Sequence, residues 1–392
     1  MQTNQIVVIN SGSSSIKFAA YEFNSALGKS LHGSVENIQA APTLKIFDAN
    51  DAIIKEDKFN SDAGYAFFFD LLLSSFASNR FNYVVSAVGH RVAHGGPQYT
   101  APVLITNKII QDLKEFIPFT PLHQPYNLEA IESIQSSYPN LPQVACFDTA
   151  FHRTHPDVAD YFGLPRDLTD AGVRRYGFHG LSYEYIMHKI REMDESKYHK
   201  RIIVAHLGNG ASMCAIKQGK AIDTTMGFTA LDGLVMGTRC GSLDPGVLLY
   251  LMQHKKMTYQ GIQEMLYKKS GLLGVSGISS NMKILLQDAT KPAKEAVELF
   301  VYRIRRELGA LTEVLGGLDI LIFTGGIGEH AWQVRERVCA DNEWLGIKMN
   351  PTLNKNNQTS ISDATSNVEV LVIPTNEEWM IARQTYDLIN KE

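Results

Sequence analysis

Cysteine is scarce: the 392 residues contain four, Cys146, Cys214, Cys240 and Cys339, and no two form a Cys-x-x-Cys pair. Such spacing indicates neither a zinc site nor a disulfide framework, and reduced thiols in a cytoplasmic setting are expected. An excess of one charge is also missing. The 37 Lys and Arg nearly offset 41 Asp and Glu, for a net charge of -4, so there is no broad basic footprint for nucleic acid or an anionic membrane. Long hydrophobic runs are absent too. The most apolar stretch, Ala63 to Phe76, contains Asp70 and is too short to cross a bilayer; it reads as a buried helix from Ala63 to Ser78. The first residues show no basic segment leading into an apolar core, so no signal peptide is expected. What remains is 44% hydrophobic residues, enough for two or three domains with cores of their own.

The organising stretch begins with the apolar run Ile6 to Ile9 and continues Asn10-Ser11-Gly12-Ser13-Ser14-Ser15-Ile16-Lys17. It predicts a buried strand entering a polar hairpin, with a second strand from Ile16 to Phe23. Gly12 frees the backbone, the hydroxyls and Asn10 offer oxygens, and Lys17 adds a cation. That set suits a polyphosphate, and it equally suits an ordinary Ser-rich turn. Walker-loop spacing is absent. The same arrangement recurs at Ile202 to Leu207, Gly208-Asn209-Gly210-Ala211-Ser212 and Met213 to Lys217. Two coincidental hairpins would give this pattern, but so would an internal duplication whose halves share one ligand.

Other candidates stand where predicted strands stop, the usual position of ligands in α/β sheets. Tyr83 to Val88 leads into Gly89-His90-Arg91-Val92-Ala93-His94, making Arg91 and the two histidines either site residues or a surface cap. Val144 to Phe147 ends at Asp148, a phosphate- or metal-facing acid or a helix N-cap. His179 lies in a turn ahead of the predicted helix Tyr183 to Glu192 and reads as catalytic or merely structural. Thr224 to Pro245 is irregular, rich in Gly and Thr, and carries Arg239. A helix from Lys291 to Leu315, with Gly316-Gly317 past its end, precedes the buried strand Ile320 to Thr324. The following Gly325-Gly326-Ile327-Gly328-Glu329-His330 and a helix from Trp332 to Ala340 complete a strand, glycine loop and helix, a nucleotide-binding arrangement without Rossmann spacing. Finally Val368 to Ile373 ends in Pro374-Thr375-Asn376-Glu377. Glu377 is a metal-facing carboxylate or a residue of the closing helix's first turn.

Taken in order, these motifs resemble those of the acetate kinases, kinases of the actin, sugar kinase and Hsp70-type ATPase superfamily. The resemblance rests on Asn10 to Lys17, Gly89 to Val92, Pro121 to His123, Phe147 to His152, Tyr176 to Gly180, His206 to Gly210, Met236 to Arg239, Gly325 to Glu329 and Pro374 to Glu378. It implies an α/β fold of two duplicated ribonuclease H-like domains with a cleft between them. The first would comprise 1–147 plus 379–392; the second, 148–378, would bind nucleotide and form the interface of a cytoplasmic homodimer. The implied reaction is reversible, Mg²⁺-dependent transfer of a phosphoryl group from ATP to acetate, with Mn²⁺ as a substitute metal. Asp148, His179 and Arg239 match the catalytic positions, and Asn10 and Glu377 the metal site. Lys17, His206, Leu207, Gly208, Asn209, Gly210, Asn281, Met282, Lys283, Gly326, Ile327, Gly328, Glu329 and His330 match the nucleotide contacts.

Arg91 would meet the substrate carboxylate, with Ala93, Leu122, Phe178 and Ala230 around its methyl group. Relatives usually carry Val, Leu, Phe and Pro there, so two positions have shrunk and propionate is the alternative substrate. Asn281-Met282-Lys283 departs from the common Asp-x-Arg, His330 from Asn and Cys240 from Ser. A non-catalytic nucleotide-binding protein of the same fold is the reading from another class.

The chemistry suits these residues. A carboxylate near pKa ~4 is already ionised at neutral pH and needs no base. The obstacle is repulsion between two anions approaching in line, so a site must supply cations. Arg91, Arg239, His179, Lys17 and Mg²⁺ would provide them, and Asp148 would orient metal and substrate without abstracting a proton.

Overall fold

The apolar runs build two mixed sheets in the computed structural model, which describes residues 3–38, 40–60, 64–77 and 83–391. The first sheet contains β1 (Thr3–Ser11), β2 (Ser15–Glu22), β3 (Lys29–Glu36), β4 (Thr43–Asp48), β5 (Ile53–Lys58), β6 (Tyr83–Val92), β7 (Val103–Leu104) and β8 (Gln143–Phe147), in the order β5-β4-β3-β2-β1-β6-β8-β7. The second contains β9 (Arg201–Leu207), β10 (Ala211–Lys217), β11 (Lys220–Thr224), β12 (Ile320–Thr324) and β13 (Glu369–Val372), in the order β11-β10-β9-β12-β13.

These sheets divide between two compact units. One holds the residues up to Phe151 together with the stretch from Asn376 onward; the other is His152–Thr375. The divisions fall at 151/152 and 375/376, where the sequence placed them at 147/148 and 378/379. Asp148 and Glu377 therefore go with the first sheet.

In the first unit β1 needs no alternation of polar and apolar residues because both its faces are covered. Val7 and Ile9 share a core with Phe68, Phe69 and Leu72 of the helix Tyr65–Ala77 and with Ala130 and Ile134 of the helix Gln124–Ser137. The helix Glu377–Ile389 packs on β1 and β6. It comes so close at Gly89 that an added Cβ would lie 2.4 Å from Thr385 Oγ1. This approach explains a misplaced boundary. The sequence ended the strand at Val88, yet β6 continues to Val92, pairing Val88–Val92 with Gln143–Phe147 of β8. The glycine admits a helix and does not break the strand. The expected helix Ala63 to Ser78 is observed as Tyr65–Ala77, and its two outermost positions lie outside the described residues.

In the second unit the helix Lys291–Leu315 has the expected bounds and ends at Gly316, whose φ of 71° suits glycine. Its face of Val297, Phe300, Val301, Ile304, Leu308, Leu311 and Leu315 is buried against the sheet core. No strand or helix interrupts residues 225–244. Gly325–His330, read as a loop, is instead a short helix beginning at Gly325 with φ 75°. A Cβ there would press on the Leu207 backbone at 2.9 Å.

The duplication read from the hairpins is present in the topology. In β3-β2-β1-β6-β8 the successive pairs are antiparallel, antiparallel, parallel and parallel, and the same sequence holds along β11-β10-β9-β12-β13. Each is the five-stranded ribonuclease H-like core.

Candidate active site

In the first unit the strand ends gather an unusual charge cluster. Arg91 stands in β6 beside β1 and β8, so its guanidinium meets side chains from all three segments. Its Nε donates to Asp148 Oδ1 at 3.1 Å, Nη2 reaches Asp148 Oδ2, and Nη1 donates to Asn10 Oδ1 at 3.4 Å. Glu377 Oε2 is 4.0 Å from Arg91 Nε, supplied by the first turn of the last helix, where an acid is favoured. Burial opposes the charge on Arg91, but Asp148 and Glu377 outweigh it and raise its pKa. Burial also pushes Glu377 up to about 7; Arg91 counteracts this while Asp148 adds to it.

Two carboxyls, an amide oxygen and one cation leave the cluster rich in hard oxygen donors. Among the described residues no group of three or more His, Cys, Asp or Glu is placed to hold a metal by itself. Asn10, Asp148 and Glu377 do fit a hard divalent cation that also takes ligands from a substrate phosphate.

Lys17 is exposed on β2, its backbone paired with that of Asn10. Ala93 is buried and donates its N–H to Asn127 Oδ1 at 3.0 Å, and Leu122 is half-buried. His90 and His94 are buried. His90 Nε2 bonds Gln143 Oε1 at 2.8 Å, and burial lowers its pKa to about 4. His94 Nδ1 accepts from the Gly96 N–H at 2.8 Å, with none of the residue exposed. Neither is a surface cap; both belong to the interior.

In the second unit His179 occupies the position ahead of the helix Gly180–Met193, with φ 60°. Its Nδ1 bonds Ser212 Oγ at 2.8 Å, and that hydroxyl also bonds Tyr183. The ring stacks on His206 with centroids 4.3 Å apart, and His206 Nδ1 bonds Ser182 Oγ at 2.8 Å. Arg239 is anchored by Nη1 donating to Ala230 O at 2.8 Å. A Cβ on Gly210 would lie 3.2 Å from His179 Nε2 and 3.6 Å from Arg239 Nη2. The glycine therefore keeps clear the approach that these two groups share. Phe178 is buried, and its carbonyl accepts from His152 Nε2 at 2.9 Å.

A cavity of about 740 Å³ opens in the same unit, a size suited to a small ligand. Gly208, Asn209, Asn281, Met282, Lys283, Gly326, Ile327 and His330 line it. The sequence singled out all eight.

Across the whole chain, a model described as the acetokinase family matches residues 5–383. The chain belongs to this family. It is 49% identical over 394 residues to an acetate kinase of Rhodopseudomonas palustris, covering 98% of both proteins, and 43% identical over 384 residues to an acetate kinase of Rickettsia felis, covering 97% of this chain and 98% of the relative. The crystal structure of Porphyromonas gingivalis acetate kinase matches with a TM-score of 0.90 at 38% identity, covering 98% of this chain and all of that one. A propionate kinase from Francisella tularensis matches with 0.92 at 36%, covering 99% and 100%.

Within this acetokinase-family chain, six further residues line the cavity: Ser280, Leu286, Gln287, Ala331, Trp332 and Gln333. Trp332 opens the helix that the sequence placed after the glycine segment, and it was not singled out as a site residue. Six residues expected at the nucleotide are not on the cavity lining: Lys17, His206, Leu207, Gly210, Gly328 and Glu329, of which Leu207 is wholly buried. Glu329 instead accepts at Oε1 from the N–H groups of Gly325, at 2.9 Å, and Thr375, at 3.2 Å. His206 stacks on His179. No helix among the described residues is long and apolar enough to cross a membrane.

Proposed function

We propose that this chain is an acetate kinase, catalysing reversible in-line phosphoryl transfer between ATP and acetate to give acetyl phosphate and ADP, as a cytoplasmic homodimer. The observation that carries the reading is Arg91, a partly exposed guanidinium clamped by Asp148 and Asn10 with Glu377 beside it. A fixed arginine is suited to a carboxylate, and no base is needed for a substrate that arrives ionised.

Each residue then has a defined task. Arg91 binds the substrate carboxylate, and Asp148 holds the Arg91 fork in register. Arg239 and His179 offer positive groups beside Gly210, to offset charge on the transferring phosphoryl oxygens. Ser212 fixes the His179 ring, and His206 supports it by stacking. The cavity lined by Asn209, Lys283, Gly326 and Trp332 takes the nucleoside. Asn10, Asp148 and Glu377 would hold Mg²⁺, which when bound neutralises phosphate charge.

A second reading has specific support. Ala93 and Ala230 are smaller than the Val and Pro usual at these positions, and a structural relative is a propionate kinase. A hydroxamate assay with ATP, hydroxylamine and in turn acetate, propionate and butyrate tests both readings. ATP-dependent product from acetate supports the first. No product from any of the acids would overturn both and leave a nucleotide-binding protein without this activity.

A further inference from the structure

On the outer side of the helix Lys291–Leu315 lies a second cavity of about 780 Å³, which shares no lining residue with the first. Its walls carry three arginines, Arg305, Arg306 and Arg337, and two large aromatics, Tyr302 and Trp344. Tyr302 is 65% exposed and Trp344 74%. A tryptophan so open to water costs hydrophobic free energy, and Trp, Tyr and Arg together are the composition of binding hot spots.

Charge in this groove is poorly matched. Arg305 bonds only the highly exposed Asp341, at 3.4 and 3.5 Å. Arg306 lies 3.7 Å from its chain neighbour Glu307, a pair more than half exposed on the arginine side. Glu298 is the one acid on the lining. Guanidinium groups present planar forks that match phosphate oxygens and also stack on rings. Their spacing follows from the helix: Tyr302, Arg305 and Arg306 sit three and four residues apart, on one face, and so cover a continuous strip.

We propose that this groove is a second ligand site, taking a phosphorylated compound with a flat ring, of the nucleoside-phosphate class. The arginines take the phosphate and Tyr302 and Trp344 the ring. The groove's volume suits a small molecule.

Equilibrium dialysis of the full chain with labelled ADP tests this, using two variants to separate the sites. Arg306→Glu/Arg337→Glu reverses two charges in the groove, and Trp332→Ala alters the first cavity. At about 1 mM ADP the intact chain is expected to hold one equivalent that the double variant loses and Trp332→Ala keeps. Its affinity should fall at least about tenfold in the double variant, with circular dichroism and basal turnover unchanged. Competition by inorganic phosphate alone at similar concentration would assign the site to the phosphate without the ring and overturn the ring-specific proposal. Binding identical in the intact chain and the double variant would overturn the site altogether. Because the first cavity is scored by its own variant, failure of the proposed catalytic reading leaves this result interpretable.

Discussion

Arg91 meets Asp148 edge-on, its Nε donating to Oδ1 at 3.1 Å while Nη2 engages the other carboxylate oxygen. Asp148 is almost wholly buried and Arg91 about a quarter exposed. The pair thus fixes one edge of the guanidinium and leaves the Nη1 side, near Asn10, as the adaptable one. Without the carboxylate the fork is free to turn, and displacing a substrate-positioning group by about 1 Å can cost roughly a hundredfold in rate. Asp148→Asn should therefore lower kcat/KM for acetate at least that far, partly by loosening Arg91 and partly by disorganising the metal oxygens, while ATP binding by dialysis persists. Added Mg²⁺ should recover part of the loss. A defect wholly indifferent to Mg²⁺, with normal ATP binding, would refute the metal part of this account.

Among the described residues Arg335 is the largest wholly buried side chain, and its hydrogen bonds go to amide and carbonyl oxygens rather than to a carboxylate. Its Nη1 donates to the carbonyls of Gly328 at 2.7 Å and Glu329 at 2.9 Å; Nε and Nη2 tie Asn354 and Asn357 to the same guanidinium. Burial lowers its pKa to about 10, which leaves it charged near neutrality. It holds the far end of the short helix whose Gly326, Ile327 and His330 line the first cavity. Arg335→Met strands several acceptors, each costing about 1–3 kcal/mol. The variant should unfold at markedly lower urea and show a KM for ATP raised about tenfold, with the KM for acetate unchanged. Equal rises in both constants would make Arg335 a stability residue only.

The contrast between these two arginines shows what a sequence discloses. Arg91 drew notice because a charged side chain follows an apolar run, even though the strand continues through it to Val92. Arg335 lies inside an ordinary amphipathic helix, and nothing local distinguishes it from a surface residue; only the packing of Asn354 and the short glycine helix reveals its burial. Likewise the bounds of the helix Lys291–Leu315 were readable from its period and its flanking Pro292 and Gly316. The end of β6 was not, because Gly89 marks a neighbour that lies almost three hundred residues away in the chain. The interior place of His90 and His94 was equally hidden, because the groups that surround them, Gln143 and the Phe116 and Phe119 rings, come from distant segments.

That burial has a measurable consequence. Burial lowers the pKa of His90 from 6.5 to about 4, only partly offset by Gln143, and it lowers His152 in the same direction, helped by His155. The unfolded chain therefore takes up protons first, so stability is full above about 6.5 and falls as pH drops toward 4. At pH 5 the loss from His90 alone is about 2 kcal/mol. Urea unfolding at about pH 7.5 and 5 checks this, and His90→Gln should flatten the dependence. An unchanged slope in that variant would place the acid sensitivity elsewhere.

The proposed pocket makes volume at Ala93 the test of substrate choice; this residue is 6% exposed and fixed through its N–H by Asn127. One buried methylene contributes about 0.8 kcal/mol, and an apolar pocket discriminates it by roughly 10 to 200-fold. With alanine at 93 and 230, propionate should be used within about tenfold of acetate in kcat/KM. Ala93→Val adds two methyl groups next to the same backbone anchor and should cost propionate at least about tenfold more than acetate. Because both acids present the same carboxylate to Arg91, a general loss of activity would cancel from the ratio. An unmoved ratio would mean that Ala93 does not touch the alkyl end of the substrate, and the assignment of the apolar pocket would fall with it.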